Sequence, residues 1–386
     1  MLSLEEFNLQ STIAAKTING IVLKTPLLKS TWLSKLTGCN VYLKMESEQL
    51  TRSFKLRGAA NKISKEMKKG TKKVITASTG NHGTACLYVG SKLGIEVSVY
   101  APLTIYKAKE DSILQCPNGE LVKCGNDAVE TEYFARKAAE DQNVPYISPY
   151  NDIDVMLGQS TLGYELMEQL PDLDAVFISV GGGGLAAGSF AYLKSVKPDI
   201  ITVGCQPEQN CGMYKCIEAG YVLEDFSFLN DTLADGVAGG IEMGSITFGY
   251  CQKFIDKWVL TSEEEIEEAV FNMLDKEKKL VEGAAGLPIA SLIKMKDELQ
   301  GKNVVLLICG GNIDTSKVKD LCDKFSSWEL LTFKLSYDLF YSYFLEFTAY
   351  KANCFVFFYL ERALIAHNFI IQILQQSCTF LYFLFF

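Results

Sequence analysis

The feature that most constrains this chain is a rhythm running from about residue 40 to residue 325. Short runs of apolar and β-branched residues, "NVYLKME", "KKVITAS", "IEVSVYA" and "ELVKC", then "DAVFISV", "ITVGCQ", "KWVLTS" and "NVVLLIC", read as strands. Stretches with helical spacing separate them, with helices expected at 55–68, 82–94, 107–115 and 127–141. Strands that lack polar alternation are buried on both faces, which requires parallel sheets with helices on either side. The expected fold class is therefore α/β, with two open, mostly parallel sheets flanked by helices. Residues 1–40 plus 146–326 are expected to form a large domain, and 41–145 a smaller one inserted into it. Right-handed crossovers then place functional loops at the carboxyl ends of the strands.

Composition removes several classes of function. A net charge of -9 with no basic stripe argues against a nucleic-acid partner. The 12 cysteines are scattered without metal-type pairing and there are only 2 histidines, so no zinc or other metal site is expected and the thiols read as reduced. The start, "MLSLEEFNLQ", is acidic and lacks the regions of a secretion signal, which points to the cytoplasm. From Trp328 onward the chain is crowded with Phe and Tyr and has no Gly or Pro. Glu361, Arg362, His367 and Asn368 interrupt each apolar span there, so a membrane anchor is not expected. Residues 327–386 are expected to be a non-native or disordered extension.

Three strand ends carry the chemistry. After "DAVFI" comes "SVGGGGLAAG", in which Gly181, Gly182, Gly183 and Gly184 offer unobstructed N–H groups before a helix, a phosphate cradle on physical grounds. A rival reading is a dinucleotide site, since Gly182, Gly184 and Ala187 fit G-x-G-x-x-A and Glu208 follows the next strand. That reading describes a nicotinamide-dependent dehydrogenase, for which His82 is the one histidine available as acid or base. "ASTGNHGTA" also follows a strand and opens a helix, where Ser78, Thr79, Gly80 and Asn81 suit a carboxylate or an aromatic hydroxyl. A plain N-cap accounts for Ser78 or Thr79 equally well. His82 reads as a general base or as a structural imidazole. "LLICGGNIDTS" ends a third strand with Cys309, a thiol suited to packing against or donating to a ring nitrogen. Glu282, between an apolar stretch and Gly283, is either a buried carboxylate or a solvated helix end.

Lys55, in "TRSFKLRGAANKI", is ambiguous when taken alone: a snorkelling helix lysine, or an amine placed to react with a carbonyl. An isolated lysine beside an aromatic residue, a phosphate cradle, an anion-holding helix start and a strand-end thiol together form the set that pyridoxal phosphate requires.

Over residues 5–325 the motifs, in order, resemble the serine/threonine dehydratase and serine racemase group of pyridoxal-phosphate enzymes, with the tryptophan-synthase-β-like arrangement called fold type II. The resemblance implies that Lys55 of "SFKLRGA" carries the cofactor, with Phe54 against its ring. It implies that "STGNHG" (Ser78 to His82) holds the substrate carboxylate and, through Asn81, the cofactor hydroxyl. Gly181 to Gly184 and Leu185 would bind phosphate, Cys309 would stand beside the pyridine nitrogen, and Gly236, Glu282 and Gly310 would line the pocket. Leu56-Arg57-Gly58 after the lysine is similar to the dehydratase branch. The implied activity is elimination of water from L-threonine or L-serine, with serine racemisation as the alternative, in a homodimer or higher homo-oligomer. Two departures weaken the racemase reading. Thr79 stands where racemases have a proton-donating serine. Gln206 and Gly212 stand where their metal site has acids.

Overall fold

Strands buried on both faces need neighbours on both edges, and that requirement sets the architecture. The computed structural model describes residues 1–326 other than 106 and 228. The expectation for 327–386 lies outside the described residues. Nine strands occur among the described residues: β1 Leu27–Lys29, β2 Asn40–Met45, β3 Lys73–Ala77, β4 Glu96–Ala101, β5 Gly119–Lys123, β6 Ala175–Ser179, β7 Ile201–Pro207, β8 Lys257–Thr261 and β9 Asn303–Ile308. They form a six-stranded sheet in the order β1-β2-β9-β6-β7-β8 and a three-stranded sheet in the order β3-β4-β5. Every pairing is parallel except that of β1 with β2. β6, with all five residues buried, lies at the centre of the larger sheet between β9 and β7.

All eight strands read from the sequence are present, and the four expected helices form as Lys55–Lys68, Asn81–Leu93, Lys107–Leu114 and Ala128–Asp141. β1 was not foreseen: it is a three-residue edge strand with two exposed positions, too short to show periodicity. The expected boundary at residue 41 falls inside β2, which is a strand of the six-stranded sheet. Val41, Leu43 and Met45, which share one face of the strand, are almost fully buried there, and β2 pairs with β1 on one edge and β9 on the other. The smaller sheet takes its strands from residues 73–123 alone. Both sheets lie within the compact unit Met1–Leu321. No helix among the described residues is long and apolar enough to cross a membrane.

The helix Lys55–Lys68 shows why local sequence and packing agree. Leu56, Ala59, Ala60 and Ile63 recur at helical spacing and enter the core of the smaller sheet with Val74, Val97 and Val99. Its other face meets the helix Ile153–Gln169, whose start is capped by the Asp152 side chain accepting from the N–H groups of Asp154 and Val155. The two helices touch at glycines. A Cβ on Gly158 would stand 2.5 Å from the Arg57 carbonyl oxygen, and one on Gly58 would stand 2.4 Å from the Gln159 side chain.

Candidate active site

A short antiparallel contact brings Lys55 to the end of β9. The Phe54 N–H donates to the Cys309 carbonyl (3.0 Å), the Gly311 N–H donates to the Arg52 carbonyl (2.9 Å), and Ser53 bridges Gly310. Lys55 is the first residue of its helix, and Phe54 before it provides no side-chain cap. The half-buried amine donates to the Pro149 carbonyl (3.0 Å) and lies 5.2 Å from the centre of the Phe54 ring. Burial pushes its pKa down from 10.5 to about 8, against the pull of Glu282 and Cys309 in the other direction. An amine so placed is part neutral near physiological pH and hence nucleophilic and basic.

Glu282 ties the other pieces together. It is 4% exposed, so the buried-carboxylate reading holds. Its N–H donates to the Gly310 carbonyl (3.1 Å), one carboxylate oxygen accepts from Asn81 Nδ2 (2.9 Å), and the other accepts from the Cys309 thiol (3.5 Å). Burial raises its pKa, an effect the Asn81 and Cys309 hydrogen bonds partly oppose. Burial and the Glu282 carboxylate together push the Cys309 thiol well up, so it remains a protonated donor. A Cβ on Gly310 would stand 2.5 Å from the Glu282 carboxylate, which is why that position is glycine. Gly236 faces the same carboxylate, with a would-be Cβ 3.7 Å from Oε1.

At the carboxyl end of β3 the helix Asn81–Leu93 begins with Gly80 as its cap residue and no side-chain cap. The capping reading of Ser78 and Thr79 therefore fails, and the N–H groups at this helix start are left for an anion. Asn81 also accepts from Asn312 Nδ2 (2.6 Å) through its own side-chain oxygen. His82 is buried, and its Nε2 lies 3.0 Å from the Ile147 carbonyl. A carbonyl only accepts, so Nε2 carries the proton, and burial with the nearby Lys55 pushes the imidazole down to about 3. Of the two readings of His82, this geometry is that of the structural imidazole.

At the carboxyl end of β6 the glycines are required by close approach. A Cβ on Gly182 would lie 2.5 Å from the Tyr150 ring, and one on Gly181 would lie 2.9 Å from Val237 Cα. Gly183 has φ +86°, and the helix Gly184–Val196 starts directly after it, with Leu185 buried in its first turn. Thr247 Oγ1 donates to the Gly182 carbonyl (2.6 Å), which ties the loop to the helix Ile246–Phe254. The ends of β3, β6 and β9 thus face one another around Lys55. Glu208 of the dinucleotide reading is instead exposed and paired with Lys294 (3.4 Å). Gln206 uses both ends of its amide on main chain, donating to the Val180 carbonyl (2.8 Å) and accepting from the Tyr214 N–H (2.8 Å).

Three contributors were missed. The Pro149 carbonyl and Tyr150 lie in "VPYISPYND", a stretch with no motif of its own, and Asn312 lies in "LLICGGNIDTS", where only Cys309 and Gly310 were singled out. A cradle of four glycines at a helix start, a depressed amine and a buried protonated donor suit a phosphorylated aldehyde with a ring nitrogen. This chain belongs to the pyridoxal-phosphate-dependent enzymes: the family described as "Pyridoxal-phosphate dependent enzyme" matches residues 18–310. Its fold is that of the type II members and its cofactor is pyridoxal phosphate. It is 36% identical over 317 residues to the catabolic L-threonine dehydratase TdcB of Staphylococcus aureus, covering 80% of this chain and 90% of that one. Among solved structures, threonine deaminase isoform 2 of Solanum lycopersicum superposes with a TM-score of 0.76 at 32% identity, over 82% of this chain and 92% of that one. The serine racemase of Dictyostelium discoideum gives 0.73 at 31% identity, over 80% and 98%.

Proposed function

We propose that this chain is an L-threonine/L-serine dehydratase, converting its substrate to 2-oxobutanoate or pyruvate plus ammonia by α,β-elimination. The observation that carries the reading is the Lys55 amine, lowered to about 8 and held between the Pro149 carbonyl and the Glu282–Cys309 pair. Bound pyridoxal phosphate supplies a sink for the electron pair left when Cα loses its proton. Lys55 would hold the cofactor through its aldehyde, and its Nζ is the base placed to take the proton from the substrate's Cα. Gly181 to Gly184 and Leu185 would hold the phosphate through main-chain N–H groups, and Gly236, Gly310 and Phe54 would line the space for the ring. The loop of Ser78, Thr79, Gly80, Asn81 and His82 would hold the substrate carboxylate at its helix start, and Asn81 would also hold the ring hydroxyl. Cys309 would stand beside the ring nitrogen, and its one thiol proton, directed to Glu282 Oε1, would have to turn to that nitrogen to donate a neutral hydrogen bond.

Elimination is favoured over racemisation because the loop opposite Lys55 presents Thr79, whose methyl group crowds a second proton-transfer position. Cys39, Cys86, Cys205, Cys251 and Cys309 are buried free thiols, in keeping with a cytoplasmic enzyme. We place it as a homo-oligomer, a dimer or larger. The test is a visible absorbance spectrum of purified protein, then keto-acid release from L-threonine, L-serine and their D-forms, with chiral analysis of recovered serine. Lys55→Ala should lose both the absorbance and the turnover, and turnover surviving in that variant sinks the assignment. Racemised serine formed faster than pyruvate would instead favour the racemase reading.

A further inference from the structure

Beneath the first turn of the Lys55–Lys68 helix lies a group of charged side chains that the proposed reaction does not use. Arg57, two residues past the amine, is fully buried. Its Nε and Nη2 donate to the two oxygens of Glu46 (2.8 and 2.7 Å), and its Nη1 and Nη2 donate to the two oxygens of Glu165 (2.6 and 2.9 Å). Lys44 donates to the same Glu165 carboxylate (2.6 Å), to the Thr25 carbonyl (2.9 Å) and to Gln169 (2.8 Å). Glu46 follows β2 directly, and Glu165 lies on the helix Ile153–Gln169.

Charges buried in this way add little stability over well-packed apolar side chains, whereas forked guanidinium–carboxylate pairs fix relative orientation. Orientation is what this helix start lacks. It has no side-chain cap, and a cationic residue opens it at the end where the helix dipole is also positive. The helix that carries Glu165 continues directly from the connector whose Pro149 carbonyl accepts the Lys55 amine. That helix also touches the Arg57 main chain at Gly158.

We propose that Arg57 is a positioning residue for Lys55. Its two forked pairs lock the first helical turn to Glu46 and Glu165, and so fix the amine against the Pro149 carbonyl and toward the site. This rests on the reading of Lys55 as the cofactor lysine. A lysine at position 57 keeps the charge but cannot make either fork.

The experiment compares the full-length, cofactor-loaded protein with Arg57→Lys and with Phe7→Leu, a core substitution that lowers stability away from the site. Arg57→Lys should lower kcat on the order of 10- to 100-fold, the scale for a misplaced reacting group. KM for L-threonine should stay within about twofold, because the carboxylate loop begins a different helix. The visible absorbance band of the bound cofactor should also change shape or position in Arg57→Lys, and not in Phe7→Leu. If Arg57→Lys fails to fold, Glu165→Gln, which spares the Glu46 fork, should give the same kcat-selective loss at smaller size. A folded Arg57→Lys or Glu165→Gln with parental kcat and absorbance overturns the proposal, as does an equal kcat loss in Phe7→Leu. A parent that lacks both absorbance and turnover refutes the reading of Lys55 and this proposal with it. An active parent beside a parent-like variant refutes this proposal alone.

Discussion

Replacing Lys55 with methionine should make the cofactor-free protein more stable at neutral pH while abolishing its chemistry. The amine is held at a pKa of about 8 in the folded chain, against 10.5 when free in water. Below pH 8 the folded state must keep a charge it disfavours, so the unfolded state binds the proton more tightly and folding is penalised. At about 1.36 kcal/mol per pH unit that gap costs about 3 kcal/mol at pH 7. Methionine removes the cost but also leaves the Pro149 carbonyl without its donor, a loss of about 1 kcal/mol. The net gain expected at pH 7 is therefore about 2 kcal/mol. The sign of the pH dependence follows from the same gap. As pH rises through 8 toward 10.5 the folded amine is neutral while the unfolded one still holds its proton, so the penalty fades. Between pH 7 and pH 9.5 the advantage of the variant should shrink by about 2 kcal/mol. Urea unfolding of cofactor-free parent and Lys55→Met at several pH values measures this directly. A variant that is less stable at pH 7, or whose advantage does not fall with rising pH, would refute the claim that burial depresses this amine.

Gly182→Ala should weaken pyridoxal phosphate binding by roughly 5- to 150-fold, the equivalent of about 1–3 kcal/mol of overpacking, because its Cβ meets the Tyr150 ring at 2.5 Å. Absorbance titration with the cofactor reads this out, and adding Tyr150→Leu should recover part of the loss; unchanged affinity in the single variant rules the clash out. Glu282 has a raised pKa, so its cost to folding grows as pH climbs from 4.5 through its folded value. The urea midpoint of Glu282→Gln should accordingly gain on that of the parent across this window, and a difference that narrows with rising pH contradicts the assignment. Cys309 is buried with its thiol pushed well up, so at pH 8 iodoacetamide should leave it unmodified in the folded protein and alkylate it after unfolding, as read by peptide mass mapping.

How far the sequence could be read depended on the kind of interaction involved. β6 and β9 were legible because their apolar runs have to be buried on both faces. β2 has the same local character, but its membership of the larger sheet depends on pairing with β9, more than 250 residues further along the chain, and periodicity carries no information about that. Lys55, the four glycines, Asn81 and Cys309 stood out because each is an uncommon residue for its place at a strand end or helix start. The Pro149 carbonyl did not, since a main-chain acceptor has no residue signature. Tyr150 looked like any aromatic residue until the absence of a Cβ at Gly182 gave its ring somewhere to sit, and the absence of one at Gly184 let its Cα approach. Arg57 was visible as part of a motif, but its burial between two carboxylates is a tertiary fact. Capping failed as a guide at Ser78 and Thr79 because the helix is capped by neither side chain, which leaves its N–H groups free.

His82 and Lys55, the imidazole and the amine at this site, both give an N–H to peptide oxygens of one connector, at Ile147 and Pro149. No replacement of a side chain at either position removes the acceptor, because every amino acid brings the same oxygen. On the acceptor side, inherited change can therefore reach these two hydrogen bonds only through the course of the backbone at 147–149. Drift in residue identity at 147 and 149 leaves both acceptors in place wherever the path of the chain is kept.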